Sequence, residues 1–332
     1  MMHTTITKMF DIRYPIIQGG LQGLGTSPLV SAVSNAGGLG LITAGSFSSK
    51  EEMLEDIESA RKLTSKPFGV NIALGIRKPM DEYVEGAIEA RVPIVFTSGN
   101  NPEKYMESLK ANGIKVVHVV PSVRFAKKAE AIGCDAVVVV GYECGGHPGK
   151  EDVTSLTLIQ KAVQELSIPV IAAGGFSTGK SALAAFALGA QGVQMGTRFL
   201  ASRETALHKS IKDKLIKLQE TDTLLVKKSI GKAMRVMKTD RALELLKKEE
   251  AGAALEEMFP YISGEAYMEL IKNGNENSGV ISLGQTIGLI DEIKRTEEII
   301  KDIVQEYEQQ LEFLYRNLNR EERSHCSVKK TR

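Results

Sequence analysis

Two neighbouring stretches decide how this chain folds: Pro169-Val-Ile-Ala-Ala-Gly-Gly-Phe-Ser-Thr-Gly-Lys-Ser181 and Gly192-Val-Gln-Met-Gly-Thr-Arg-Phe199. Each is a short apolar run that ends in glycine and gives way to a helical pattern. An apolar run without an alternating polar face marks a strand covered on both sides, which is the habit of parallel sheets. Working outward, the same unit recurs. Candidate strands at Pro15–Gln18, Leu39–Thr43, Phe68–Ile72, Ile94–Thr97, Val116–Val120 and Ala136–Val140 precede those at Val170–Ala173 and Gly192–Met195. Amphipathic stretches lie between them, among them Lys50–Leu63, Asp81–Ala90, Pro102–Asn112 and Val123–Ile132. Eight strand–helix units predict a closed α/β fold, a (β/α)8 TIM barrel, in preference to an open doubly wound sheet. Glycines at Gly37, Gly113, Gly133 and Gly189 fall where left-handed residues would end the helices.

The pattern changes after Ser202. Residues 203–279 are charged and read as a helical lid inserted after the eighth strand, too long for an ordinary loop. From Gly284 to about Leu318 an amphipathic helix should close the barrel, so the barrel comprises residues 1–202 and 280–318. Residues 319–332 have no apolar period and read as a disordered tail. With 332 residues, 42% of them hydrophobic, the chain can bury a barrel-sized core. A formal net charge of +1 gives no reason to expect nucleic acid or an acidic membrane surface. No apolar run reads as a signal peptide or a membrane span, and Cys134, Cys144 and Cys326 read as reduced thiols, so a cytoplasmic location is expected.

In a barrel of this kind the chemistry sits at the carboxyl ends of the strands. Those positions are Gln18-Gly19-Gly20, Thr43-Ala44-Gly45, Asn71, Ser98-Gly99-Asn100, Pro121-Ser122, Glu143-Cys144-Gly145-Gly146-His147, Gly174-Gly175 and Gly196-Thr197-Arg198. Small residues let a flat ligand approach the backbone. Glycines after the seventh and eighth strands free amides to face an anion, and a following helix N-terminus would add its dipole, so a phosphate is expected there. Gly174 to Ser181 also satisfies the G-x-x-x-x-G-K-[ST] pattern of a nucleotide hydrolase. That reading lacks an aspartate on the next strand to hold magnesium.

His147, flanked by glycines at the mouth, is the candidate acid/base, because imidazole titrates near neutrality. His118 reads as a structural residue of the fifth strand. Cys144, three residues before His147, makes poor geometry for a nucleophile pair, and Glu143 reads as a structural acceptor for its own loop. No spacing suggests metal ligands.

At these residues the chain resembles the nitronate monooxygenase family and its sister group, the flavin-type enoyl-acyl-carrier-protein reductases II. The resemblance is carried by Pro15-Ile-Ile-Gln-Gly-Gly20, Asn35-Ala-Gly-Gly-Leu-Gly40, Lys66-Pro-Phe-Gly-Val-Asn71, Ser98-Gly-Asn-Asn-Pro102, Val120-Pro-Ser-Val123, Gly141-Tyr-Glu-Cys-Gly-Gly-His-Pro-Gly149, Pro169-Val-Ile-Ala-Ala-Gly-Gly175, Gln194-Met-Gly-Thr-Arg-Phe199 and Gly284-Gln-Thr-Ile-Gly-Leu289. It spans roughly residues 10–305.

The resemblance implies bound FMN, with Asn71 at the isoalloxazine ring. Gly145, Gly175, Gln194, Met195, Gly196 and Thr197 would line the flavin and its phosphate, and His147 would face the substrate. It departs from many nitronate monooxygenases at Val140-Gly141, where they carry a flavin-contacting glutamine. The implied activity is oxidation of alkyl nitronates with O₂ to carbonyl compounds and nitrite. The rival within flavoenzymes is an NAD(P)H-dependent reductase of enoyl thioesters or quinones. A nucleotide hydrolase, a Cys–His hydrolase and a non-catalytic phosphate-binding barrel stay as further alternatives. Homodimerisation is left open.

Overall fold

The computed structural model describes residues 3–75 and 79–328, with side chains as far as residue 318. Eight strands, β1 (Ile16–Gln18), β2 (Gly40–Thr43), β3 (Phe68–Leu74), β4 (Ile94–Gly99), β5 (Lys115–Val120), β6 (Ala136–Val140), β7 (Val170–Ala173) and β8 (Gly192–Met195), alternate with helices as a (β/α)8 barrel requires. They pair in parallel in the spatial order β1-β8-β7-β6-β5-β4-β3-β2. The sequence placed all eight, three with the same ends and five with one end that differs by one or two residues.

The barrel closes at a seam between β1 and β2, and the closure is built partly from a side chain. Backbone contact there is the single bridge Ile17↔Leu39, with Gln18 N and Leu39 N each donating over 2.9 Å. The Gln18 amide extends the ladder. Its Oε1 accepts from Leu41 N at 3.0 Å, and its Nε2 donates towards Leu41 O and Gly19 O. Gln18 is wholly buried.

Alternation sorts the strand residues into two layers. Ile17, Leu39, Leu41, Ile94, Phe96, Val117, Val138, Ile171 and Ala173 fill the lumen together. The helix Thr5–Phe10 plugs the amino-terminal end of that lumen, where Phe10 meets Phe96 at 6.0 Å between ring centroids. The other face (Ile16, Ile42, Val70, Val95, Val116, Val137, Val170, Val193) packs under the outer helices. His118 belongs to that outer layer. Its Nδ1 lies 2.8 Å from Thr97 Oγ1, and burial pulls its pKa down to about 4.

The segment after β8 differs from the sequence expectation. Helices are present at Lys209–Leu215, Asp240–Glu250, Leu255–Ile262 and Gly264–Asn273, but a hairpin of β9 (Thr223–Val226) and β10 (Met234–Met237) lies among them. Its lysine-rich sequence hides the strands. They form because β10 finds outside partners, bridging Gly146 by Arg235 and Ser282 by Val236.

Nor does one helix return from Gly284. A short 3-10 turn covers Gln285–Leu289, and the closing helix starts at Thr296, where the Glu204 carboxylate accepts from Thr296 N and Oγ1, and runs to Val328. Of the expected tail at residues 319–332, the backbone of 329–332 and the side chains of 319–332 lie outside the described residues. Among the described residues no helix is long and apolar enough to cross a membrane.

The seam gives a direct test. Replacing Gln18 with Leu leaves the buried Leu41 amide without its acceptor and should lower stability by about 1–3 kcal/mol. Denaturant unfolding checks this; an unchanged midpoint would show that the backbone bridge alone closes the barrel.

Candidate active site

Inward-facing positions near the carboxyl ends of the strands form the floor of the mouth. Register and alternation place Thr43, Asn71, Ser98, Val119, Val140, Ala173 and Gln194 on that side. Apart from Asn71 and Gln194 these are small or β-branched, so the floor sets three apolar side chains, Val119, Val140 and Ala173, beside the polar Thr43, Asn71, Ser98 and Gln194. Val140 adds another apolar surface where the family's glutamine would stand.

The Gly19–Gly20 turn lies directly on two of the predicted side chains. A Cβ at Gly20 would collide with the Asn71 amide, and one at Gly19 would sit 3.3 Å from the Gln194 side chain. Gly19, Gly20, Asn71 and Gln194 therefore form one wall. Two other predicted residues face elsewhere. Gln18 gives its side chain to the barrel seam. The Met195 side chain, 1% exposed, packs under the outer helices, so only its backbone, whose carbonyl accepts from Gly19 N at 3.0 Å, is at the mouth.

Gly174 and Gly175 take φ of +79° and +86°, a region that penalises any Cβ. A Cβ at Gly174 would also strike Gly141 O at 2.6 Å, whereas one at Gly196 would meet nothing within 4 Å. The β7 turn is thus wedged tight and the β8 turn faces open space. Beside the first, the Ser177 hydroxyl is buried without a hydrogen-bond partner, and Gln194 Oε1 is an orphaned acceptor on the wall. A bound group offering a phosphate oxygen to one and an N–H to the other would satisfy both. A flavin mononucleotide carries both features, so these residues fit it.

One part of the phosphate expectation changes. The N-terminus of the helix Gly179–Ala187 is already capped: Glu306 Oε2, from the closing helix, lies 2.6 Å from Gly179 N and 3.4 Å from Lys180 N. Lys180 Nζ is 3.7 Å from the same carboxylate. A carboxylate stands where a nucleotide phosphate would sit, so this is not a nucleotide-hydrolase loop. An anion at the mouth must rely on the two turns themselves, without this helix's dipole.

The β6 loop is built against several elements. Glu143 acts as a strut: its carboxylate accepts from Ser155 N at 3.1 Å and lies 2.6 Å from Ser155 Oγ, which in turn is 2.7 Å from Gly174 O. Gly145 presses on the returning chain, where a Cβ would sit 2.7 Å from Gly284 N. Gly284 N donates to Thr197 Oγ1 at 3.0 Å, and Gln285 N to Glu143 O at 3.0 Å. Gly146, at φ +83°, exchanges two backbone hydrogen bonds with Arg235, at 3.0 and 2.6 Å. His147 follows on the exposed rim.

Arg235 is the residue that the sequence reading missed. Only 6% exposed, it donates to Tyr142 O at 3.1 Å and Thr223 Oγ1 at 3.2 Å and lies over the Tyr142 ring. Its single visible signal is a lone arginine between apolar residues, Met234-Arg-Val-Met237, in a stretch read as helical.

Cys144 packs in the same loop, and desolvation pushes its thiol up to about 12, with Arg235 opposing in part. A protonated buried thiol is no nucleophile. Among the described residues no cluster of His, Cys, Asp and Glu could hold a metal. Cys134, likewise pushed up to about 12 by burial, and Cys144 should resist a thiol reagent at pH 8 in the native protein and react once it is unfolded. Native labelling of Cys144 at the rate of a free thiol would contradict this.

Residues 3–306 match the family described as nitronate monooxygenase. A probable nitronate monooxygenase of Staphylococcus aureus (strain Newman) is 36% identical over 273 residues, covering 69% of this chain and 77% of that protein. Among solved structures, FabK from Thermotoga maritima is 40% identical with a TM-score of 0.88, over 95% of this chain and 99% of that one. Nitroalkane oxidase from Streptomyces ansochromogenes, at 23% identity, covers 93% of this chain and 99% of that one with a TM-score of 0.80, a likeness of fold.

Proposed function

The chain belongs to the nitronate monooxygenase family, a group of flavin-dependent oxidoreductases, and from that premise we propose that it binds FMN and oxidises alkyl nitronates to carbonyl compounds and nitrite. The observation that carries the cofactor assignment is the pair of buried orphans, Ser177 Oγ and Gln194 Oε1, beside glycine turns that open onto the same mouth.

FMN would be held with its phosphate on the amides of Gly174, Gly175, Gly196 and Thr197, and with its ring against Asn71, Gln194 and the Gly19–Gly20 turn. Gly145 and Gly146 would border it on the β6 side. When bound it supplies the redox step, taking electrons from the substrate and passing them to O₂. The chain's own residues do the rest. Val119, Val140 and Ala173 give the floor an apolar side, which strengthens electrostatic contacts made above it. His147, held by the Gly146–Arg235 pair, reaches the mouth from the rim, where its imidazole donates a hydrogen bond to an anionic oxygen or takes up a proton. Arg235 adds a fixed positive charge behind that loop, favouring an anionic substrate.

A second reading is supported by a specific observation. FabK is 40% identical to this chain over 95% of its length, against 23% for nitroalkane oxidase over a similar span, and this likeness favours the sister group that reduces enoyl thioesters with NAD(P)H. The same imidazole would then face a thioester carbonyl.

Two assays on one preparation separate the readings: oxygen uptake with a propane nitronate, and NADH or NADPH consumption with crotonyl thioester. Nitronate-dependent oxygen uptake is expected. Nicotinamide consumption alone would move the chain to the reductases. His147→Asn should lower turnover by about 10²–10⁴ while the flavin stays bound, and an unchanged rate would remove His147 from the chemistry.

A further inference from the structure

The end of the barrel opposite the mouth holds a groove that the activity proposed above does not use. Its volume is about 660 Å³, and the loops that enter β3, β4 and β5 line it. The buried side chains of Phe68, Val92 and Ile94 contribute an apolar floor. Around it stand four cations, Arg61, Lys66, Arg91 and Lys115, against one carboxylate, Asp11.

One of these cations sits where the fold asks for glycine. Five of the helices that lead into barrel strands, Ser27–Asn35, Asp81–Glu89, Glu103–Ala111, Val123–Ala131 and Gly179–Ala187, end in the same turn. In each, the residue two beyond the helix donates its N–H three positions back, and the next residue donates five positions back. Four of these turns place a glycine in the left-handed region: Gly37, Gly113, Gly133 and Gly189, at φ of +94°, +72°, +91° and +94°. The fifth places Arg91 there, at φ +50°. A Cβ is penalised in that region, so glycine would relieve the strain. Strain that four equivalent turns avoid marks function more than folding.

Ordinary structural roles account for two of the four cations. Arg61, in the last turn of Lys50–Leu63, pairs with Glu58 and donates to Ala90 O, the carbonyl that ends the neighbouring helix. Lys115 lies 3.6 Å from Asp135, a carboxylate that Lys110 already meets at 2.7 Å. The Lys66 and Arg91 side chains have no ion-pair partner among the described residues, and both lie beyond the last helical turn, where the dipole would explain them. Neighbouring strands are about 4.8 Å apart, so cations on the loops into β3, β4 and β5 span roughly 10 Å. That reach suits linked phosphates better than a single oxyanion. An arginine fork beside a lysine is also the donor set that phosphate oxygens favour.

We propose that this groove binds a small polyphosphate anion, with Arg91 and Lys66 as its principal contacts. The site stands at the far end of the barrel and is independent of the cofactor and substrate assigned to the mouth.

Calorimetric titration of the full chain with inorganic triphosphate tests it, in excess FMN so that the mouth's own phosphate position stays filled. One triphosphate should bind per chain, and Arg91→Gly should weaken binding about tenfold. Lys66→Ala should weaken it as well, whereas Lys62→Ala, which removes a lysine outside the groove, should not. Because glycine is the native residue of the equivalent turns, the Arg91→Gly protein should melt no lower than the parent. Lost binding with undiminished stability is a combination that a structural role for Arg91 would not give. No binding at millimolar triphosphate, equal loss in all three variants, or an Arg91→Gly protein that melts several degrees lower would each overturn the proposal. Titration with ATP identifies the source of the phosphates. Binding tighter than triphosphate assigns the apolar floor to a nucleoside, and equal or weaker binding assigns the site to the phosphate chain alone.

Discussion

Two consecutive glycines with positive φ, Gly174 and Gly175, set the terms for the rest of the mouth. A side chain at the first would run into the Gly141 backbone, so the β7 turn is locked against the β6 loop. The lock is reinforced from outside by Ser155, which lies within hydrogen-bonding distance of both the Glu143 carboxylate and Gly174 O. Two loops that follow different strands thereby move as one piece. An anion-binding turn needs that rigidity, because amides that must reorganise to meet a charge lose much of their stabilising effect.

The inserted segment is tied to the mouth in the same way. Gly145 and Gly284 approach so closely that neither tolerates a side chain, and Gly146 pairs with Arg235 of the hairpin. The loop that carries His147 is consequently held between the barrel, the hairpin and the returning chain. A buried arginine without a carboxylate partner among the described residues would ordinarily be a liability. Here its guanidinium is met by a carbonyl, a hydroxyl and an aromatic face.

Much of this was legible beforehand because strand positions in a parallel barrel announce themselves. Apolar runs such as Ala136–Val140 have no other stable environment, and glycine at their ends has few other uses. What stayed hidden depends on contacts remote in sequence. Glu306 caps the helix at Gly179 from more than a hundred positions away, and this overturned the expected role of that helix's dipole. Gln18 looked like a ligand contact because it stands at a strand end; its amide is instead part of the barrel wall. The hairpin was missed because its strands are stabilised by Gly146 and Ser282 more than by their own composition.

The central claim is that this mouth holds FMN, with the phosphate on the β7 and β8 turns. It is tested most directly by purifying the chain, releasing whatever is bound under acid, and identifying it by chromatography and mass. The account predicts a yellow protein that yields FMN at close to one per chain and rebinds it after removal. A colourless protein that fails to take up FMN would contradict it.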